Sequence, residues 1–202
     1  RLPLPFALVL YNGKDYWKIW GCDLIGQSFN PAWSQDRINK WRQDCADALI
    51  KAFFDLIADW PPTIFYAHNG GKFDYHFWIN YFSGSVKIIN ARITKARIGK
   101  HEFRDSYSIM PVPLATFGGK IVIDYDTMEP YAREANRAEI DAYLKEDCVI
   151  LWNNVSEFIK EFSGDKPPSL TMDSTAMSEL SKHHSFDNMT VRQDEFFRPY
   201  FF

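Results

Sequence analysis

The chain has 202 residues, 46% of them hydrophobic and 24% charged, with a formal net charge of −3 at pH 7. That length accommodates one large domain or two small ones around a real core. The weak acidity means that any contact with nucleic acid has to come from a local patch or a metal site rather than from bulk electrostatics.

Cys22, Cys45 and Cys148 are scattered and odd in number, with neither a metal-ligand spacing nor a disulfide framework, which suits a reducing compartment such as the cytoplasm. The sequence contains no membrane-spanning run. Leu2–Tyr11 is apolar but is broken by Pro3 and Pro5 and lacks a cleavage signature, so it does not read as a signal peptide. The start at Arg1 and the aromatic ending Phe196–Phe202 suggest a piece of a longer protein.

In chain order, Phe6–Asn12 and Tyr16–Trp20 form a predicted hairpin around Gly13-Lys14. Gly21 to Pro31 reads as loop. From Ser34 to about Ala58, Ile38, Trp41, Cys45, Leu49, Phe53 and Leu56 recur at helical spacing, and Pro61-Pro62 closes that helix. Ile64–Ala67 is a short apolar run typical of a buried strand. His68-Asn69-Gly70-Gly71 breaks it, because two glycines permit positive φ and close backbone approach. Phe73–Trp78 resumes as an aromatic-rich helix candidate. An Asp just past a strand end, with an Asn five residues before it, is a common setting for site chemistry, although Asp74 as a helix cap is the plainer reading of the spacing alone.

Val86–Asn90, Ile93–Ile98 and His101–Asp105 read as a meander of three strands. It carries Lys87, Arg92, Lys95, Arg97, Lys100 and Arg104, on either a solvated or a phosphate-facing surface. Ser106–Tyr131 has little periodicity. Glu139–Phe162 is a second long helix, whose face of Ile140, Tyr143, Leu144, Asp147, Ile150, Leu151 and Val155 brings an Asp onto the apolar side, one turn from a Tyr. A carboxylate placed there needs a base, a cap or a cation. Pro167-Pro168 follow, then a shorter helix to about His184. The expected fold class is α/β, with a mixed sheet flanked by helices.

Taken together, His68–Phe77 resembles the second exonuclease motif of the family-B DNA polymerases of the protein-primed branch, with Asn69, Phe73, Asp74 and Phe77 at matching positions. Tyr143-Leu-Lys-Glu-Asp147 resembles the third, tyrosine-containing motif. Phe103-Arg-Asp-Ser106 is similar to the strand end before the family's Ser-Leu DNA contact, with Tyr107 in place of the Leu. Lys120-Ile-Val-Ile123 is similar to the motif whose lysine assists at the scissile phosphate.

The resemblance implies an RNase H-like DEDDy 3′–5′ proofreading domain over residues 1–165. Residues 166–202 would lead towards a polymerisation domain, and Arg198-Pro-Tyr200 resembles the approach to it. It further implies two Mg²⁺ or Mn²⁺ ions roughly 4 Å apart, clamping the attacking and leaving oxygens. Asp74 and Asp147 would serve as ligands, Tyr143 would orient the water, and Lys120 would sit at the phosphate. Asn69, Phe73, Phe77 and Ser106 would hold the DNA. The implied partners are a single-stranded 3′ end, primer-template DNA and a terminal priming protein, in a host cytoplasm.

The family's first motif, Asp-x-Glu on a preceding strand, does not occur before Asp74, so two of the four expected carboxylates are absent and the chain alone is expected to be inactive. Two alternatives stand beside this reading: a non-catalytic module that grips single-stranded DNA, and a free-standing DEDD nuclease.

Overall fold

The computed structural model describes residues 4–164 and 166–183. The aromatic tail and its resemblance to the approach to a polymerisation domain lie outside the described residues.

β1 (Ala7–Tyr11) and β2 (Tyr16–Trp20) form the antiparallel hairpin. At its turn the Asn12 side-chain oxygen accepts from the backbone N–H of Lys14 and Asp15. The Gly21–Pro31 loop is partly helical, since α1 (Gly21–Ile25) forms there and ends on Gly26 in the left-handed region at φ 61°. α2 (Gln35–Ile57) is capped by Ser34, whose hydroxyl accepts from Arg37 N. Its stripe of Trp41, Cys45, Leu49, Phe53 and Ile57 is buried.

A four-stranded sheet has the order β3-β6-β5-β4, with β3 (Ile64–Ala67), β4 (Lys87–Ile89), β5 (Arg92–Ile98) and β6 (His101–Asp105). β3 runs parallel to β6, while β5 is antiparallel to both β6 and β4, so the sheet is mixed as expected. Successive residues of a strand face opposite ways. Accordingly Phe65 packs with Phe53 and Ile57 of α2, and Tyr66 packs with Val155 and Phe158 of α3 (Arg137–Phe162). The sheet is thus layered between two long helices. The hairpin does not join this sheet but forms a second sheet of its own.

The 106–131 stretch holds three short 3₁₀ turns. α4 (Met172–His183) is capped by Thr171, whose Oγ1 accepts from Ser174 N. No helix among the described residues is long and apolar enough to cross a membrane.

His101 couples the fold to pH. It is buried, its Nε2 donates to Ile57 O at 3.0 Å, and its Nδ1 has no partner. Burial therefore lowers its pKa below the ordinary 6.5. A base with a depressed folded pKa contributes stability that is complete above the unfolded value and is lost as pH falls through it. The melting temperature is expected to fall between pH 7.5 and 5.5, and to fall less in His101→Gln. Equal slopes in the two proteins would assign the loss elsewhere.

Candidate functional site

The C-terminal end of β3 delivers the first half of the site. Asn69, not a glycine, takes the left-handed backbone, at φ 64°. The glycines are there for close approach. A Cβ on Gly70 would lie 2.6 Å from the Ala67 Cβ, and one on Gly71 would lie 2.2 Å from Ile93 O and 2.8 Å from an Asp105 carboxylate oxygen. Asp74 then opens a 3₁₀ helix, Asp74–Tyr81, anchored by buried Tyr75 and Trp78. The Tyr75 hydroxyl donates to Arg104 O. The Asp74 side chain is open to solvent on one side, yet protein surrounds the rest of it. That desolvation, with the nearby charge of Asp105, raises its pKa.

A buried network holds the Asn69 turn. Arg92 Nη1 donates to Asp105 Oδ2 at 2.6 Å and to the Asn69 side-chain oxygen. Asp105 also accepts from Gly71 N and Tyr107 N. Both of its carboxylate oxygens are therefore engaged, so it does not substitute for a missing cleft carboxylate. The Arg92 guanidinium lies 4.4 Å from the Tyr107 ring centroid. With its side-chain oxygen taken by Arg92, Asn69 can direct its amide N–H groups outward as donors. On the other side, His68 Nε2 donates to Val112 O, so its Nδ1 accepts from the Ser106 hydroxyl. Burial lowers the His68 pKa and keeps it neutral at pH 7.

α3 supplies the opposite wall. Tyr143 and Asp147 are one turn apart, and Lys120 reaches in from the loop, with Nζ 3.3 Å from Asp147 Oδ2 and 5.3 Å from the Tyr143 ring centroid. Burial, then the charge of Asp147, then Tyr125 push the Tyr143 pKa far up, so its hydroxyl keeps its proton. The adjacent Cys148 thiol is pushed up to about 12, mainly by burial, which removes it as a nucleophile.

The two halves face each other across one open cleft of about 710 Å³. Asn69, Phe73, Asp74, Lys120, Tyr143 and Asp147 all line it, as do Tyr107 and Tyr125. Two residues expected to contact DNA do not line this cleft. Ser106 is fully buried and serves inside the protein as the partner of His68. Phe77 packs against the core cluster around Phe53 and Trp78 and does not line the cleft. Phe73, 60% exposed, does. Sequence reading did not single out Tyr125 or Arg92 as site residues. Tyr125 lies in a stretch without periodicity, and the partners of Arg92 are fixed only by strand pairing.

Phe73 and Phe77 therefore part company in a mutational test. Phe73→Ala is expected to weaken single-strand binding by about 1–3 kcal/mol with little change in melting. Phe77→Ala is expected to lower the melting temperature, at a cost somewhat under the ~3–5 kcal/mol of a fully buried Phe, and to leave affinity nearly unchanged. A binding titration run beside a thermal melt separates the two, and identical behaviour would reject the assignment.

The donor set fits a divalent ion only in part. Oxygen ligands suit Mg²⁺ or Mn²⁺, and Asp147 Oδ1 is buried without a hydrogen-bond partner, as a ligand oxygen would be. Yet among the described residues Asp74 and Asp147 are the only carboxylates lining the cleft, and no group of three or more His, Cys, Asp or Glu is placed to hold a metal. These residues do not close a two-ion centre by themselves.

Over its full length the chain is 43% identical to a DNA-directed DNA polymerase of Enterobacteria phage PRD1, and it spans 32% of the length of that protein. No family model matches the chain. No solved structure matches it either.

Proposed function

We propose that the chain is most of the 3′–5′ proofreading exonuclease domain, RNase H-like in fold, of a protein-primed family-B DNA polymerase working in a host cytoplasm. One observation carries this reading. Asp74 and Asp147, 73 positions apart, line a single cleft together with Asn69, Phe73, Lys120 and Tyr143. The similarity to a phage DNA polymerase supports the polymerase parent. Residues 1–165 form the nuclease part. Residues 166–202 lead on towards the polymerisation domain, starting from a Pro168 that is buried and bonded through its carbonyl to Arg104.

In this reading the cleft receives the frayed 3′ end of a primer. Phe73 stacks on a base, and Asn69 donates to the strand. Asp74 and Asp147 are two of the ligands for Mg²⁺ or Mn²⁺, and the remaining carboxylates come from an Asp-x-Glu strand upstream. Bound metal would supply Lewis-acid stabilisation and a low-pKa water. Tyr143, protonated at neutral pH, would orient the attacking water through its hydroxyl, and Lys120 would offset charge on the scissile phosphate. The expectations of primer-template DNA and a terminal priming protein as further partners belong to the same proposal.

The test is release of mononucleotides from a 3′-labelled single strand with Mg²⁺ or Mn²⁺. It is run on the 202 residues and on a longer polypeptide that includes the upstream strand. Metal-dependent release by the longer form alone is the expected result. The shortage of cleft carboxylates favours a second reading, a module that only grips single-stranded DNA. Binding without release by both forms would select it.

A further inference from the structure

Between Lys87 and Asp105 six Lys and Arg residues stand against two carboxylates, in a chain whose net charge is −3. Arg92 is committed to Asp105 and the Asn69 turn. Strand register shows where the others go. Lys87 lies opposite Lys95, Lys95 opposite Arg104, and Arg97 opposite Glu102. Residues directly opposite each other, and alternate residues of one strand, share a face of a sheet. These five side chains therefore stand on one face, four cations with a single carboxylate. Lys100 adds a fifth cation in the turn between β5 and β6.

Glu102 is already shared by Lys95 and Arg104. Among the described residues Lys87, Arg97 and Lys100 have no ion-pair partner, and all three are exposed. Like charges placed directly opposite each other cost a sheet stability, so the fold gains nothing from this row. An anion laid across it would.

The strip also has a direction. Ala67, at the cleft end of β3, pairs with Asp105, so the strip starts beside the network that holds the Asn69 turn. From Arg104 it runs along β6 to Lys100 at the other end of the sheet. At ~3.4 Å per residue that is roughly 14 Å, the rise of about four base pairs of duplex. The cleft offers Phe73, Tyr107 and Tyr125 to unstacked bases. The strip offers no ring, since Phe103, the one Phe, Tyr or Trp in these three strands, is buried in the core. Single-strand sites combine cations with stacking platforms, whereas a duplex hides its bases and presents phosphates.

We propose that this strip is a second nucleic-acid site, which holds the phosphate backbone of double-stranded DNA while the cleft takes a single strand. The choice of DNA as the polyanion rests on the polymerase reading. The strip itself stands on register, charge and the lack of rings.

The test titrates the chain by fluorescence anisotropy in EDTA, so that nothing is cleaved. One probe is a duplex of about 16 base pairs closed by a loop at each end, which denies the cleft a 3′ end; the other is a single strand of about six nucleotides. Lys87→Gln, Arg97→Gln and Lys100→Gln are combined in one variant. A control combines Lys14→Gln, Lys51→Gln and Lys160→Gln, which remove the same charge from exposed positions elsewhere.

The strip variant is expected to bind the duplex at least about tenfold more weakly at ~50 mM salt, and its slope of log affinity against log salt should shrink by about 2–3. Its single-strand affinity and its melting temperature should match those of the unsubstituted chain. The control variant should bind both probes normally, and Phe73→Ala should weaken the single strand alone. Equal losses in the two triple variants, or equal losses on the two probes, would overturn the site. Failure of the unsubstituted chain to bind the duplex at low salt would overturn it as well. None of these readouts depends on hydrolysis, so they fail independently of the assay in the preceding subsection.

Discussion

Asp147→Ala, in the longer polypeptide that includes the upstream strand, is expected to lower mononucleotide release by at least about a thousandfold. Loss of a metal ligand removes several kcal/mol of charge stabilisation, and each 1.36 kcal/mol is worth about tenfold in rate. The same substitution is expected to leave the melting temperature unchanged or to raise it. Asp147 Oδ1 is buried without a hydrogen-bond partner, and its other oxygen accepts from Lys120 Nζ at 3.3 Å. Removing such a carboxylate relieves a desolvation cost. A large loss of activity at undiminished stability is the signature of a residue kept for chemistry. If Asp147→Ala instead unfolds the protein, Asp147 is structural and the nuclease assignment loses its central ligand.

The second large effect belongs to Arg92. Its partner Asp105 has a fully buried carboxylate, and Arg92 itself is 12% exposed. Arg92→Leu would leave that charge with only the Gly71 and Tyr107 amides, at an expected cost of about 3–5 kcal/mol. For a protein of this size that lowers the melting temperature by roughly 10 °C. Adding Asp105→Asn should recover part of the loss, because the amide removes the unpaired charge while keeping an acceptor for the backbone. Single-strand binding should weaken in both variants, since the Asn69 turn loses the guanidinium that holds its side-chain oxygen. A double-mutant cycle read by thermal melts measures the coupling. Additive effects would show that Arg92 and Asp105 do not act as a pair.

Much of the fold was legible in the chain because local signals were strong. The stripe from Trp41 to Phe53, the cap at Ser34 and the prolines at 61 and 62 specify α2 within the segment itself. The alternation in His101–Asp105 likewise marks β6 as a strand with one buried face. The candidate site was legible as residue types at fixed spacing. Asp74 past a strand end and Tyr143 with Asp147 on one helical face are local patterns, and the resemblance joined them.

Tertiary structure decided the rest, for reasons no local pattern contains. Phe73 and Phe77 are alike in sequence, yet one faces the cleft and the other the core, because the segment forms a 3₁₀ helix whose anchor is Tyr75 bonded to Arg104 of another strand. Ser106 sits at a strand end, where exposure is common, yet it is buried because His68, 38 positions away, needs a hydrogen-bond donor there. The left-handed residue is Asn69 and not a glycine, since Gly70 and Gly71 are already committed to close contacts with Ala67 and Ile93. The chain by itself determined its two long helices, its strands and the residue types its cleft would use. Which of those residues meet was set by the packing of the sheet between α2 and α3, because contact across tens of positions depends on how buried faces fit and not on spacing.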